Sequence, residues 1–144
     1  MTTITQPKVH SGQFNGVELC WFEWQGAATP DNPTIVMAHA TGFHGRCWDQ
    51  VIRLLPEFRV IAVDFRGHGR SAKPEPPYGW EDFGEDLVAL VSHLELQDAI
   101  GVGHSMGGAC ALVIPSLTTA DIKSVFAMSP AAAVSQVTTL NPYL

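Results

Sequence analysis

The chain has 144 residues, of which 46% are hydrophobic and 15% are charged, and its formal net charge at pH 7 is −6. This length supports one domain with a buried core. Proteins that bind nucleic acid need clustered Lys and Arg, and the eight basic residues here are scattered along the chain. Nucleic acid is therefore excluded as a partner.

The sequence shows no secretory signal, and its cysteine usage is typical of a cytoplasmic protein. The first eleven residues are polar, and no apolar run is long enough to span a membrane. The three cysteines are odd in number and widely spaced, which predicts reduced, mostly buried thiols rather than a disulfide framework or a metal site. We expect no membrane partner, no metal and no cofactor.

Taken in chain order, the predicted elements begin after a loose, flexible tail over residues 1–12. Asn15 and Gly16 are typical of a two-residue hairpin turn, and the return strand covers 18–24. Four short apolar runs are typical of strands buried on both faces, and they cover residues 34–38, 59–63, 99–102 and 124–128. Segments with helical spacing alternate with these runs over residues 47–55, 80–94 and 106–114.

Prolines bound two of the predicted helices. The first places Val51, Leu54 and Leu55 on one side and ends at Pro56, and Pro115 is predicted to end the third. The second has the spacing of an amphipathic helix, carried by Phe83, Leu87, Leu90, Val91 and Leu94. Strands and helices that alternate in this way imply right-handed crossovers. The predicted fold class is α/β, with a mostly parallel sheet and an N-terminal antiparallel hairpin.

Three polar segments follow predicted parallel strands, at the edge where open α/β sheets place their sites. They are H-A-T-G-F-H-G at 39–45, D-F-R-G-H-G-R-S at 64–71 and G-H-S-M-G at 103–107. The third is a G-x-S-x-G sequence between a strand and a helix, which predicts a nucleophile elbow. Such a turn exposes a serine beside a base and oxyanion donors. Ser105 is thus the candidate nucleophile, and Gly103 and Gly107 leave out side chains that would clash.

In order and spacing, these segments resemble the N-terminal part of the α/β-hydrolase fold, from about residue 12 to residue 128. The resemblance implies an incomplete hydrolase core over 13–129 and the start of a lid insertion over 130–144. It implies that Ser105 is the nucleophile and that the backbone N–H groups of Met106 and Thr41 form the oxyanion hole. Ala40 stands where the family more often has glycine.

Other motif residues are given lesser roles by the same resemblance. Phe43 and His44 lie near the expected pocket mouth and are candidates for contact with a small-molecule substrate. Eight residues match structural positions of the family motif: His39, Asp64, Arg66, Gly67, Gly69, Gly103, His104 and Gly107.

The acid and histidine that this fold places after the nucleophile do not occur in the sequence. After Ser105 the one acidic residue is Asp121, before the last predicted strand, and no histidine follows His104. We therefore expect an N-terminal fragment of a serine hydrolase that cleaves an ester or a related acyl or carbon–carbon bond of a small apolar substrate. Alone, this fragment is predicted to be nearly inactive.

Other functions stay open from the sequence. The chain could be a non-catalytic ligand-binding or interaction module. It could also be half of a two-chain hydrolase, since an exposed sheet edge at 124–128 would suit a C-terminal half or a second copy. A dinucleotide-binding domain is disfavoured because Met106 stands where the third glycine of G-x-G-x-x-G belongs. Ser105 disfavours the dehalogenases and epoxide hydrolases of the family, which use an aspartate nucleophile.

Overall fold

The computed structural model describes residues 6–26, 31–117 and 122–128. A 3₁₀ turn over Gly45–Trp48 precedes the first α-helix. The strands are β1 Lys8–Phe14, β2 Val17–Trp24, β3 Ile35–Ala38, β4 Val60–Asp64, β5 Ala99–His104 and β6 Ile122–Met128. The α-helices are α1 Asp49–Ile52, α2 Trp80–His93 and α3 Met106–Leu117.

The described strands form one six-stranded sheet in the order β1-β2-β4-β3-β5-β6. β1 and β2 form an antiparallel hairpin, and β2 is antiparallel to β4. β3 is parallel to both β4 and β5, and β5 is parallel to β6. Asn15 and Gly16 have φ values of 51° and 76°, as a two-residue hairpin turn requires. The predicted fold class is confirmed.

Two apolar clusters occupy opposite faces of the sheet, because successive strand residues point to opposite sides. The larger cluster lies under α2 and α3 and contains Val36, Ile61, Leu87 and Met106. The smaller lies on the α1 side and contains Ile35, Met37, Trp48 and Ile52. Among the described residues, no helix has the length and apolar character needed to cross a membrane.

The predicted first helix is wrong in its length and in its apolar face. α1 spans Asp49–Ile52 and buries Ile52, whereas Val51 and Leu54 are 43% and 80% exposed. After α1, the Leu54 and Leu55 N–H groups bond to the carbonyls three residues back, Val51 and Ile52, so a face extrapolated at 3.6 residues per turn falls out of phase.

Two element boundaries also differ from the prediction. β1 begins at Lys8, so the loose tail predicted over 1–12 is wrong for residues 8–12. Hydrogen-bonded pairing with β2, from Lys8↔Glu23 to Phe14↔Val17, holds this strand in place. Its own sequence has no apolar pattern that would predict a strand. α3 continues through Pro115 to Leu117, so the prediction that Pro115 ends this helix is wrong. The predicted lid segment, 130–144, lies outside the described residues.

Candidate active site

Ser105 lies at the turn between β5 and α3 and is half-buried. Its φ is +52°, a left-handed backbone that costs a non-glycine residue about 1–2 kcal/mol. The Ser105 carbonyl accepts a hydrogen bond from the Ala109 N–H at 3.0 Å, so Ser105 is the residue immediately before α3 and accepts its first helical bond. Strain of this kind concentrates at functional sites, where the surrounding structure holds it in place.

The two glycines of the elbow lie against backbone. A Cβ added at Gly103 would overlap the main chain of Gly107, and a Cβ added at Gly107 would overlap the carbonyl group of Ala38. The start of α3 therefore touches the end of β3 without an intervening side chain.

The two residues expected to supply oxyanion donors lie beside each other. The Thr41 hydroxyl donates to the Met106 Sδ at 3.4 Å. Thr41 is exposed, whereas the Met106 side chain is buried. Met106 is the first residue of α3, and the first N–H groups of a helix have no acceptor within it. The helix dipole adds a positive field at this end.

The Asp64 carboxylate accepts hydrogen bonds from two neighbouring loops. Its Oδ1 accepts from the Gly45 N–H at 2.6 Å, and its Oδ2 accepts from the Arg70 N–H at 2.7 Å. The Ser71 hydroxyl donates to the Asp64 carbonyl at 2.5 Å and accepts from the Cys20 N–H at 2.8 Å. A Cβ at Gly69 would overlap the Asp64 carboxylate, so this turn closes around the carboxylate.

Arg66 forms a buried ion pair with a residue that the sequence motifs did not indicate. Its Nε and Nη2 donate to the two carboxylate oxygens of Asp86 at 2.6 and 2.7 Å. Asp82 lies 3.4 Å away from Arg66 Nη1, and Asn15 Nδ2 donates to Asp86 Oδ1 at 3.1 Å. The Asp86 carboxylate raises the pKa of Arg66 above its usual value. This pair joins three parts of the fold: the hairpin turn, α2 and the segment that follows β4.

Two histidines near the site have both ring nitrogens engaged. His39 Nε2 accepts from the Phe65 N–H at 3.1 Å, and its Nδ1 lies 2.7 Å from the Ala40 carbonyl. His68 Nε2 accepts from the Gly42 N–H at 3.0 Å, and its Nδ1 lies 2.9 Å from the Arg66 carbonyl. Burial lowers the pKa of His39 to about 4. In this arrangement neither imidazole has a nitrogen left to accept a proton from Ser105.

The remaining predicted residues differ in exposure. Phe43 is 53% exposed, and His44 and His104 are also exposed. Cys110 is buried in the core, and burial raises the pKa of its thiol to about 12. Gly67 packs against Tyr78, whose ring a Cβ would overlap.

Within the part of the chain that the structure describes, no group of three His, Cys, Asp or Glu residues could hold a metal.

An open α/β sheet with a strained serine between a parallel strand and a helix is the arrangement that a nucleophile elbow requires. The model of the alpha/beta hydrolase family matches residues 35–144. The chain belongs to this family.

Relatives of known function are similar over only part of their length. The bifunctional esterase/perhydrolase DCH of Acinetobacter calcoaceticus is 36% identical over 96 residues, which cover 65% of this chain and 34% of the relative. The non-heme haloperoxidase of Rhodococcus erythropolis is 36% identical over 96 residues, covering 65% of this chain and 33% of the relative. The chain thus spans about a third of the length of these curated relatives.

A solved structure supports the fold. The haloalkane dehalogenase DatA of Agrobacterium tumefaciens C58 superposes with a TM-score of 0.75 at 24% identity, covering 85% of this chain and 40% of that one. At this identity the likeness concerns the fold alone.

Proposed function

We propose that this chain supplies the nucleophile and the oxyanion hole of a serine hydrolase that cleaves an ester or a related acyl or carbon–carbon bond. The observation that carries the proposal is the strained backbone of Ser105, with its φ of +52°, at the start of α3. The contact between Thr41 and Met106 supports it, because it brings together the two residues whose N–H groups would bind the oxyanion.

In this proposal Ser105 Oγ attacks the substrate carbonyl carbon, and its proton passes to a histidine base. The carbonyl oxygen becomes an oxyanion that accepts hydrogen bonds from the Met106 and Thr41 N–H groups. Removing one such donor costs about 10²- to 10³-fold in turnover in a well-studied protease. The tetrahedral intermediate then collapses: the bond from the carbonyl carbon to the leaving group breaks, and the leaving group takes the proton from the histidine. Water, losing a proton to the same histidine, attacks the acyl-enzyme and releases the acid and the free Ser105 hydroxyl.

A small apolar substrate is the proposed ligand class. Phe43 exposes about half of its side chain two residues after Thr41, and the exposed His44 follows it. An apolar ring beside the expected oxyanion site would contact the non-reacting part of such a substrate. The activities of the relatives, which include a bifunctional esterase/perhydrolase, are consistent with acyl chemistry.

The base and the acid are proposed to come from residues outside this sequence. His39 and His68 use both ring nitrogens in bonds to the main chain, and Asp64 uses both carboxylate oxygens. The missing groups would lie on a longer natural chain or on a separate C-terminal half. β6, at the end of the described sheet, is the proposed pairing edge. The unpaired cysteines support a reducing compartment, the cytoplasm.

Labelling with a fluorophosphonate tests the nucleophile. The protein, isolated from its natural source so that any further residues are present, is treated with the probe, and the modified peptide is mapped by mass spectrometry. We expect modification at Ser105 and hydrolysis of p-nitrophenyl butyrate, both lost in Ser105→Ala. Ser11→Ala, on the exposed side of β1, is the matched control and keeps both. Modification at another residue, or hydrolysis unchanged in Ser105→Ala, contradicts the proposal.

The need for outside residues has its own test. The intact mass of the natural product is compared with that of residues 1–144, and the two are assayed side by side. Loss of the histidine in a serine protease costs about 10⁶-fold in turnover, so residues 1–144 alone are expected to be nearly inactive. A Ser105-dependent turnover above about 1 s⁻¹ for residues 1–144, within the ordinary range of enzymes, contradicts this requirement. Ligand binding without turnover in the natural product favours a non-catalytic binding module.

A further inference from the structure

The segments after β3 and β4 leave the sheet side by side. β3 and β4 are parallel neighbours, with Ala38 opposite Val63, so both segments emerge at the same edge. We call residues 39–44 the β3 loop and residues 65–71 the β4 loop. The β3 loop contains Thr41, the proposed oxyanion donor.

His39 and His68 each accept a hydrogen bond from the backbone of the other residue's loop. His39, on the β3 loop, accepts from the Phe65 N–H of the β4 loop. His68, on the β4 loop, accepts from the Gly42 N–H of the β3 loop. A carbonyl only accepts, so each Nδ1 must be the donor to its own loop, to Ala40 in one case and to Arg66 in the other. Both rings are therefore neutral and carry the proton on Nδ1.

The two imidazoles are also fixed by packing. Their ring centroids lie 5.1 Å apart, and the angle between the ring planes is 56°. His39 is fully buried and lies edge-on to Phe65, with ring centroids 5.0 Å apart. His68 is half-buried, with its ring centroid 6.1 Å from that of Phe83 on α2. Neither ring can turn without displacing an aromatic neighbour.

These bonds hold both peptide units that flank Thr41. A trans peptide is planar, so the Ala40 carbonyl and the Thr41 N–H belong to one rigid unit and point in opposite directions. His39 Nδ1–H donates to that carbonyl. The next peptide unit carries the Gly42 N–H, which His68 holds. Gly42 has a φ of +83°, so the backbone changes direction immediately after Thr41.

We propose that His39 and His68 form a reciprocal clamp that aims the Thr41 N–H into the oxyanion hole, with His68 as a positioning residue that does not touch the substrate. The inference rests on the proposed function, because it assigns the clamp to an oxyanion donor. It gives a specific task to two histidines that the catalytic step leaves unused.

Three variants separate the hydrogen bond from the packing. His68→Phe keeps an aromatic ring between His39 and Phe83 but removes the acceptor for Gly42. His68→Gln restores an acceptor near the position of Nε2. His10→Phe is the matched control, because His10 is also half-buried and stacks on the aromatic ring of Trp21, but it lies on the edge strand β1.

Amide exchange measured by NMR tests the clamp without reference to catalysis. We expect the Gly42 amide to exchange about five- to tenfold faster in His68→Phe, the factor that one hydrogen bond contributes. His68→Gln and His10→Phe are expected to keep wild-type exchange at Gly42. Unchanged exchange at Gly42 in His68→Phe overturns the clamp, whether or not the protein is a hydrolase.

Ester hydrolysis by the isolated natural product tests the link to the oxyanion hole. A displaced catalytic group costs about 10- to 100-fold, so we expect kcat to fall by that factor in His68→Phe with KM nearly unchanged. His68→Gln should recover most of kcat. Equal losses in the Phe and Gln variants, or a loss confined to KM, overturn the positioning role. If Ser105 proves not to be the nucleophile, the proposed function fails, while amide exchange still decides the clamp.

Discussion

The carbonyl group of Ala38 occupies the space into which a side chain on Gly107 would extend. Ala38 ends β3 and leads into the β3 loop, whereas Gly107 belongs to the first turn of α3. The elbow that carries Ser105 and the loop that carries Thr41 are therefore joined by direct backbone contact. This contact fixes the position of the proposed nucleophile relative to the proposed oxyanion donor, since no flexible side chain lies between the two backbone segments.

Gly107→Ala should destabilise the fold by about 2 kcal/mol or more, because overpacking costs about 1–3 kcal/mol even when flexible side chains can yield. Gly84→Ala is the control. Gly84 is buried within α2, but its added Cβ meets no described atom within 4 Å, so replacing a helical glycine should stabilise by up to about 1 kcal/mol. Urea denaturation of both variants checks the contrast. Similar stability changes would contradict the backbone contact.

Ser105→Gly should be more stable than Ser105→Ala, by up to about 1 kcal/mol, although both lack the proposed nucleophile. Alanine at a φ of +52° keeps the left-handed strain, whereas glycine adopts that backbone without it. Thermal and urea unfolding of the two variants measure the difference. An equal stability of the two would show that the elbow stores no such strain.

Most of the fold follows from local sequence patterns. Continuous apolar runs predict β3 and β4, and Asn15 and Gly16 predict the hairpin turn that the structure has. Residues 8–12 of β1 were assigned to the tail because they belong to an edge strand whose residues alternate between exposed and half-buried. Its order comes from pairing with β2, and no pattern within its own residues reports that pairing.

The candidate site is predictable only in part, for a similar reason. The G-x-S-x-G sequence is a local motif, so five residues are enough to propose Ser105 as the nucleophile. Asp86 carries no motif, and its partner Arg66 lies 20 residues away. The bonds that His39 and His68 accept from each other's loops likewise depend on the two loops meeting at one edge of the sheet, which only the folded topology brings about.

Asp86→Ala should cost about 3–5 kcal/mol of stability, because removing one partner of a buried ion pair leaves the other charge uncompensated. Arg66 would retain only Asp82 at 3.4 Å, and Asn15 would lose its acceptor. Chemical denaturation at neutral pH measures the loss.

Asp49→Ala provides the comparison for that ion pair. Asp49 also forms a bidentate pair, with Arg46, but about a quarter of each side chain is exposed. Exposed pairs contribute about 1 kcal/mol or less, so this variant should remain close to wild type. Equal losses for Asp49→Ala and Asp86→Ala would mean that burial does not distinguish the two pairs.

His39 should make the protein less stable in acid. Burial is the main cause that lowers its pKa to about 4 from an ordinary value of 6.5, and the nearby His68 acts in the same direction. As the pH falls from 6.5 to about 4, the unfolded chain binds a proton that the folded chain does not, so the free energy of unfolding decreases across that window. Above pH 6.5 and below about pH 4 the residue adds no further dependence. The total is about 3 kcal/mol.

His39→Gln isolates this contribution from the carboxylates that titrate in the same window. In the wild type, His39 Nε2 accepts a hydrogen bond from the Phe65 N–H. A glutamine side chain offers an oxygen to the same N–H, and glutamine does not titrate. The variant should therefore lose less stability between pH 7 and pH 4 than the wild type does, by about 3 kcal/mol. Denaturation curves at several pH values measure that difference, and NMR should place the His39 ring titration near pH 4. A His39 resonance that titrates between pH 6 and 7 in the folded protein would show that the imidazole is free to protonate. The reciprocal bonds to Phe65 and Ala40 would then not hold the ring in its neutral form.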